Sequence, residues 1–542
     1  MEKSLILELK GLFDQYQRSP TAKLLEELLH SENKFRSSHV YWYLKALTAK
    51  KIGREKIAEI SFYKALDLDP KNVNLLRDIS IFHRENGEYE KALQHALKFV
   101  QYLPNNSESQ CILASTYIKM HKLSEADFAI SKAIEIDPEN ATTLNTLGKL
   151  QIAKGEFDLA ITTFKKILMT SGSNFETLSN LAIAYYSANQ LSAALGCYEM
   201  ISDDMLDEIQ PKALSQFIFN RSLALLASGN CEKGWRDYFF RFKAPAFTSL
   251  YRKFNVPRLT RISDGVGKTL LIWPEQGIGD HFTFLSLIEE LKKCTDSNLV
   301  ILCDERMRSL LARSFPSIKF LEDKQSEIKN VTFDFHLPMG DIASLLKFDK
   351  SKSLIIKPYI KADPKLCDFW KSQLSEDKYK VGLAWESGVK NIRRNLHYTN
   401  IDQWRSLIEN PRVQVVNLQY GITENALTEL DSELFKRIYD PEFDLKNDFE
   451  NLSALIKNLD LVISPTSAIM AHSASVGIPT ISYSAFVSDK ALGSINSNNT
   501  FSIPWLCENT VHLFDMKNKE KVVEKIIKFV ENTEMAFKSA FR

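Results

Sequence analysis

Three prolines, Pro70, Pro104 and Pro138, stand 34 residues apart, each in a similar phrase: ALDLDPKN, KFVQYLPNN and AIEIDPEN. A fixed period of that length confines a chain to stacked copies of one supersecondary unit, because each copy buries its apolar face only against its neighbours. The same interval aligns Ala58, Ala92, Ala126, Ala160 and Ala194, and also Gly53, Gly87 and Gly155, with His121 and Asn189 filling the two gaps. Within one unit the order fits two antiparallel helices. A large apolar residue opens the first, a glycine or asparagine ends it, and the small alanine sits where the pair presses closest.

With Trp42, Leu76 and Leu144 at the first anchor and Phe62 and Phe164 at the later aromatic one, residues 37 to 205 resemble the tetratricopeptide repeat (TPR). A degenerate sixth unit, IFNRSLALLASGNCEKGWRDYFFRF, carries Gly229 in the turn and Gly234 in place of the alanine, so the array spans 37–243. Residues 1–36 read as a helical cap, since a stack needs an atypical outer face. The resemblance implies a superhelix whose groove captures segments of other proteins; a plain structural spacer is the alternative.

From 244 to 268 the period is lost and Pro245, Pro257, Gly265 and Gly267 cluster, which marks a linker. Beyond it, short apolar runs alternate with helical ones: TLLIW (269–273), NLVILC (298–303), IKFLE (318–322), YKVGLAW (379–385), VQVVNLQ (413–419), LDLVIS (459–464) and PTISYS (479–484). These read as buried parallel strands with crossover helices, an α/β arrangement. A break near Tyr359 to Pro364 divides the region into lobes at 269–360 and 361–542, and an amphipathic helix at about 519–540 closes the chain.

Lys plus Arg (69) nearly cancels Asp plus Glu (68), so no global field favours nucleic acid or an anionic membrane. The N-terminus is broken by charges every few residues and no long uncharged apolar run exists, so neither a signal peptide nor membrane insertion is expected. Seven scattered cysteines without a C-x-x-C pair argue for a reducing cytoplasm and against a zinc site. GVGKT at 265–269 is not a phosphate loop, because Ile262 stands where the first glycine belongs and the loop precedes its strand. Gly277-Ile278-Gly279 starts a dinucleotide fingerprint that Phe282 ends. The region after 245 holds no Asp-x-Asp pair, which disfavours a metal-chelating sugar transferase.

The corner WPEQGIGDHFTF (273–284) follows the first strand of the second half. Glu275 to Gly279 should form a tight loop that uses glycine's φ freedom, with Asp280 opening the next helix. An acid there is either a plain cap or a base facing the ligand crevice, because in open α/β sheets the carboxyl ends of the strands line that crevice.

EQGIGD after a strand, preceded by GWRDYFFRF and a repeat array, resembles the junction in bacterial TPR-linked glycosyltransferases related to heptosyltransferases and to protein O-GlcNAc transferases. GLAWESG (382–388), RRNL (393–396), VNLQYG (416–421), LSALIKNLDLVIS (452–464) and PTSAIMAHSASVGIP (465–479) extend the resemblance in order. It implies a TPR superhelix followed by a GT-B fold, two Rossmann-like α/β lobes with a nucleotide-activated sugar between them and no metal or other cofactor.

By that resemblance Asp280 is the catalytic base that takes a proton from an acceptor hydroxyl, with His281 a second candidate or an ordinary surface imidazole. Gly277 and Gly279 shape the corner. Thr466 and Ser467, at the start of a helix, would hold the donor phosphate beside His472, the alternative being a simple Ser/Thr cap. Arg393 and Arg394 would offset phosphate charge. Gln419 would lie near the nucleotide, and Trp385, Glu386 and Ser387 would line the sugar site, although Trp385 fits a core equally well. The resemblance extends to flagellin-modifying enzymes, which use sugars on a cytidine monophosphate (CMP) carrier, so the expected reaction is transfer to Ser or Thr hydroxyls of a captured protein, flagellin first. Relatives commonly carry Lys where Tyr420 stands, Asp-Thr at Thr466-Ser467 and a histidine one residue before His472. Those departures fit the alternative, a TPR adaptor or chaperone-like protein with a degenerate transferase region.

Overall fold

The computed structural model describes residues 2–18, 20–207, 209–347, 357–388, 392–421, 432–484, 500–501, 511–515 and 519–540. Two units are resolved, residues 1–184 with 203–210, and residues 185–202 with 211–542.

In the first unit three helices (Glu2–Arg18, Ala22–His30, Glu32–Phe35) precede four antiparallel pairs: His39–Lys51 with Glu55–Leu68, Val73–Glu85 with Tyr89–Tyr102, Ser107–Lys119 with Leu123–Ile136, and Ala141–Lys154 with Phe157–Ser171. Helix Phe175–Ser187 opens a fifth. The recurring phrases end in helix caps: the Asn72, Asn106, Asn140 and Asn174 side chains accept backbone N–H groups of Leu75, Ser109, Thr143 and Thr177. Each proline ahead of those asparagines falls where the preceding helix has stopped. The turn inside each pair is left-handed at the expected positions, Gly53 (φ 74°), Gly87 (79°), His121 (57°) and Gly155 (82°). Ala58, Ala92, Ala126 and Ala160 are wholly buried between helices. Gly148 is equally constrained, because a Cβ there would stand 2.5 Å from the Phe164 ring.

The second unit begins with the last repeat helices, Leu191–Glu199, Pro211–Ala227 and Cys231–Tyr238, whose turns are left-handed at Asn189 (62°) and Gly229 (86°). Gly234 takes the alanine position because a Cβ would meet Leu226 at 2.7 Å. A four-stranded parallel sheet follows, β1 (Thr269–Trp273), β2 (Asn298–Cys303), β3 (Lys319–Glu322) and β4 (Phe335–Pro338), ordered β3-β2-β1-β4. The six-stranded sheet comprises β5 (Tyr379–Leu383), β6 (Val413–Asn417), β7 (Leu461–Pro465), β8 (Thr480–Ser484), β9 (Thr500–Phe501) and β10 (Val511–Asp515). Its order is β6-β5-β7-β8-β10-β9, parallel except for β9 at the edge.

Seven of these strands sit where the apolar runs placed them, within two residues. The sequence reading lacks β4, β9 and β10: β9 is only two residues long, and β4 (FHLP) and β10 (VHLFD) are interrupted by histidine, proline or aspartate rather than forming a continuous Val/Ile/Leu run. The 244–268 stretch loses periodicity but not order: Leu259 N donates to His336 O (2.9 Å) and His336 N to Pro257 O (3.1 Å), laying the segment beside β4. The closing helix, Lys519–Ala540, buries Val522, Val523, Ile526, Ile527 and Val530 under the second sheet with Trp404 and Val381. Among the described residues no helix is long and apolar enough to cross a membrane.

In both sheets the first strand lies inside and the chain returns on its other side, so each has a topological switch point: β1/β4 in one and β5/β7 in the other. In open α/β sheets ligands bind outside the carboxyl ends of the strands at such points.

Candidate functional site

The first switch point is already filled. Glu275, just past β1, and Asp341, just past β4, both receive Arg241 from the WRDYFFRF segment: Nε and Nη2 reach Glu275 at 3.0 and 2.6 Å, and Nη1 reaches Asp341 at 2.8 Å. Arg258 adds two bonds to Asp341, of 2.6 and 2.8 Å. Two cations and two carboxylates balance, and the Arg241 and Glu275 side chains are fully buried. Burial works against the Arg241 charge, but Glu275 and Asp341 outweigh it and raise its pKa; burial pushes the Glu275 carboxyl up while Arg241 pulls it back. Removing one partner from such a set costs about 3–5 kcal/mol, because an uncompensated charge stays buried. Gly340 is obligatory beside it, since a Cβ would lie 2.0 Å from Glu275 Oε1. This network escaped the sequence reading. Its only signal was that Arg241 and Glu275 fell within the two quoted phrases YFFRF and EQGIGD.

The network fixes the root of the corner loop. Its left-handed residue is Gln276 (φ 61°), whereas Gly277 is extended at φ −97° and caps helix Ile278–Leu285. The expectation that glycine supplies the φ freedom and that Asp280 opens the helix is therefore corrected. Asp280 is the third residue of that helix, and its carboxylate accepts the Gly277 N–H at 3.3 Å, a capping role close to the helix N-terminus. Gly279 serves close approach: a Cβ on it would stand 3.1 Å from Ala468 Cα. The corner thus abuts the first turn of helix Ala468–Val476, which follows β7 in the other sheet. His281 is not the surface imidazole allowed for. It is 8% exposed, its Nδ1 lacks a partner, and burial lowers its pKa against the opposing pull of Asp280, Asp304 and Asp323.

At the start of helix Ala468–Val476, Ser467 occupies the cap position without capping; its hydroxyl shares a 2.9 Å hydrogen bond with Ser464. Among the described residues no side chain satisfies the first N–H groups of that helix, the situation in which an anion is favoured. Thr466 Oγ1, beside it, is buried without a partner. His472 is corrected from donor contact to packing. It is 1% exposed, and its ring stacks on Phe282 at 4.4 Å and 9°. Ser453 gives its only hydroxyl proton to Phe449 O (2.6 Å), so it accepts from His472 Nε2–H at 2.7 Å. Burial pushes the His472 pKa down to about 3. Phe282 and His472 come from the two lobes, whose buried residues form one apolar core.

At the β5 end Trp385 joins the core of the second sheet and offers no side chain to a ligand. Gln419 is buried, and its Oε1 accepts Trp385 N–H (3.1 Å) and Glu386 N–H (2.9 Å) while its Nε2 donates to Tyr420 O, so it braces this loop. Ser387 is tied to Tyr398 OH at 2.6 Å, and Gly388 N donates to Tyr420 OH at 3.3 Å. Glu386 is half-buried at the same strand end. Arg394 is exposed on the short helix Ile392–Asn395; the Arg393 side chain lies outside the described residues. Two groups of candidates are therefore assembled, Gly277, Gly279, Asp280 and His281 against Thr466 and Ser467, and Glu386 with Ser387 on the neighbouring strand end.

Residues 3–171 match the tetratricopeptide repeat family. Protein FlbA of Caulobacter vibrioides is 26% identical over 456 residues, covering 81% of this chain and 76% of its own, a length that reaches beyond the repeats. Tetratricopeptide repeat protein 8 of Caenorhabditis elegans (28% over 94 residues, 17% of this chain) and the rat peptidyl-prolyl isomerase FKBP4 (27% over 125 residues, 20%) are matched over only 19% and 27% of their own lengths. Among solved structures, a TPR protein of Parabacteroides merdae has 18% identity and a TM-score of 0.37, covering 45% of this chain and all but 5% of that one (95%). A thermophilic TPR protein of Thermus thermophilus has 22% identity and a TM-score of 0.31, covering 35% of this chain and 100% of that one. The N-terminal half is a TPR array, an architecture that binds proteins.

Proposed function

We propose that the chain is a metal-independent glycosyltransferase of the GT-B type that captures a protein through its repeats and moves a sugar from a nucleotide-activated donor to Ser or Thr hydroxyls. The observation that carries this reading is the contact of Gly279 with Ala468, which sets the Asp280 corner of one sheet against an uncapped helix N-terminus of the other. A phosphate at that N-terminus would be held by backbone N–H groups and by the Thr466 hydroxyl, which lacks a partner without it. Asp280 follows Gly279 in the chain and would accept the proton of the attacking hydroxyl, a role worth about 10²–10⁴-fold in rate. A cytoplasmic setting, a CMP-linked donor and flagellin as the acceptor follow from the sequence resemblance alone.

The adaptor reading is favoured by one observation of its own: Gln419, expected at the donor, spends its polar groups on the fold, and His472 ties its Nε2 to Ser453. Isothermal titration of the full chain with CMP, uridine and guanosine nucleotides separates the two. A transferase binds one of them, and Thr466→Val weakens it about tenfold or more, as loss of a hydrogen bond to a charged group does. If none binds at millimolar concentration, the adaptor reading stands.

A further inference from the structure

One junction of the array carries ligating side chains that the repeat pattern does not require. His83 lies near the end of helix Val73–Glu85 and is fully buried, and Glu88 stands at the cap position before helix Tyr89–Tyr102. The left-handed turn at Gly87 folds the chain back between them, with Glu88 N donating to His83 O at 2.9 Å. A carboxylate only accepts, so His83 Nδ1–H donates to Glu88 Oε2, at 2.5 Å. The Nε2 of His83 meets the Tyr63 hydroxyl at 2.9 Å; Tyr63 and Glu59 both lie on helix Glu55–Leu68 of the preceding repeat. At the His83 position of the other repeats stand Ala49, Tyr117 and Gln151, so the set belongs to this junction alone.

Ligand atoms of Glu59, His83 and Glu88 lie within 4.8 Å of one another. A tetrahedral ion with bonds of about 2.0–2.2 Å needs its ligand atoms about 3.3–3.6 Å apart, so the set closes with a movement of about 1 Å. The two carboxylates already converge on a cation: Lys91 Nζ donates to Glu59 Oε1 at 3.0 Å and to Glu88 Oε1 at 3.1 Å. Lys91 keeps 46% of its side-chain surface in solvent, so its ammonium is free to swing into water when a stronger cation arrives. A second imidazole adjoins the set. His95 is 6% exposed, its Nδ1 lacks a partner, and its ring centroid stands 5.9 Å from that of His83. Two imidazoles sharing one ion through bonds of about 2.1 Å have centroids no more than about 6.5 Å apart, so His95 is within reach as a fourth ligand.

We infer that Glu59, His83 and Glu88 bind a divalent transition-metal ion, such as Zn²⁺, which ties the second repeat to the first. Mixed imidazole and carboxylate donors suit that class, whereas Mg²⁺ and Ca²⁺ take oxygen ligands. The ion occupies the place of the Nδ1 proton. His83 then carries its proton on Nε2 and donates it to the Tyr63 hydroxyl, the outer hydrogen bond that orients a metal-bound imidazole. The two charges of the ion match the two carboxylates. Because the ligands come from both repeats, binding opposes their separation. The scattered cysteines bear only on thiolate sites, and the inference is independent of whether the lobes transfer sugar.

The test titrates the full chain with Co²⁺, read by its visible absorption, and then displaces the Co²⁺ with Zn²⁺. The wild type shows the weak visible bands of nitrogen and oxygen ligands without the intense near-ultraviolet bands of thiolate, and Mg²⁺ at the same concentration displaces nothing. Glu59→Gln and Glu88→Gln each weaken binding roughly tenfold or more, since even the outer partners of a metal site are worth that much. Lys91→Gln removes the competing ammonium and tightens binding, a gain that neither a damaged fold nor a purely structural ion pair produces. All three side chains are partly in solvent, so the variants keep the wild-type circular dichroism. Absence of binding at millimolar Zn²⁺ overturns the proposal. So does binding that is unchanged in Glu88→Gln or in Lys91→Gln, or that shows thiolate bands, each of which would assign the ion to other residues.

Discussion

At the residue scale, burial decides the protonation state of two histidines in the lobes. His336 shows how. Its Nδ1 accepts the Trp273 indole N–H at 3.1 Å, and an indole only donates, so the ring must stay neutral; burial, with Arg258 adding to it, pushes its pKa down to about 4. His472, at about 3, is neutral for the same main reason. Both folded values lie below the unfolded value of about 6.5, so the unfolded chain binds protons first. The stability they contribute is complete above pH about 6.5 and is lost as pH falls toward 4 and 3. Urea denaturation followed in the second unit should show a loss of about 2 kcal/mol per histidine between pH 7 and 5. His336→Gln, which preserves an acceptor for Trp273, should remove about half of it. Stability unchanged over that interval would mean that one or both rings are protonated in the fold. Neither histidine's environment was legible in the sequence. A motif placed His472 on the correct helix, but the ring's partner, Phe282, lies in the other lobe, and only tertiary packing brings them together.

At the element scale the repeats were legible because one period sets many positions at once. The left-handed turn falls at Gly53, Gly87 and Gly155, and at His121 and Asn189 where glycine is missing. The period therefore carries the backbone conformation even against side-chain preference. His121 is exposed and adopts φ 57°, a region costing an L-residue about 1–2 kcal/mol. His121→Gly should raise stability to denaturant by about 1 kcal/mol, and Gly155→Ala should lower it by a similar amount. A destabilising His121→Gly would show that the imidazole holds the turn. The corner was legible only in part. Its strand and its helix followed from the apolar run and the glycines, but not the division of labour within it, where Gln276 takes the strained φ and Gly279 admits the neighbouring helix. Glycine has both uses, and only the neighbour at 3.1 Å tells them apart. Strand β4 was missed because FHLP offers one central leucine to a rule that looks for a run.

At the scale of the molecule, a protein-binding repeat array is joined to paired sheets whose strand-end loops meet at one point. The change from helical repeats to strands was legible from the change of period near 244; the filled β1/β4 switch point was not, because Arg241 reaches it from a segment that reads as the end of the repeats. The most direct test of the whole is intact-mass spectrometry of flagellin co-expressed with this chain in a host that makes nucleotide-activated sugars, with the wild type and with Asp280→Ala. The account predicts a sugar-sized mass increase with the wild type that falls by about 10²–10⁴-fold in rate with Asp280→Ala. A mass increase of equal rate with Asp280→Ala, or an acceptor that co-purifies with the wild-type chain yet stays unmodified, would contradict it.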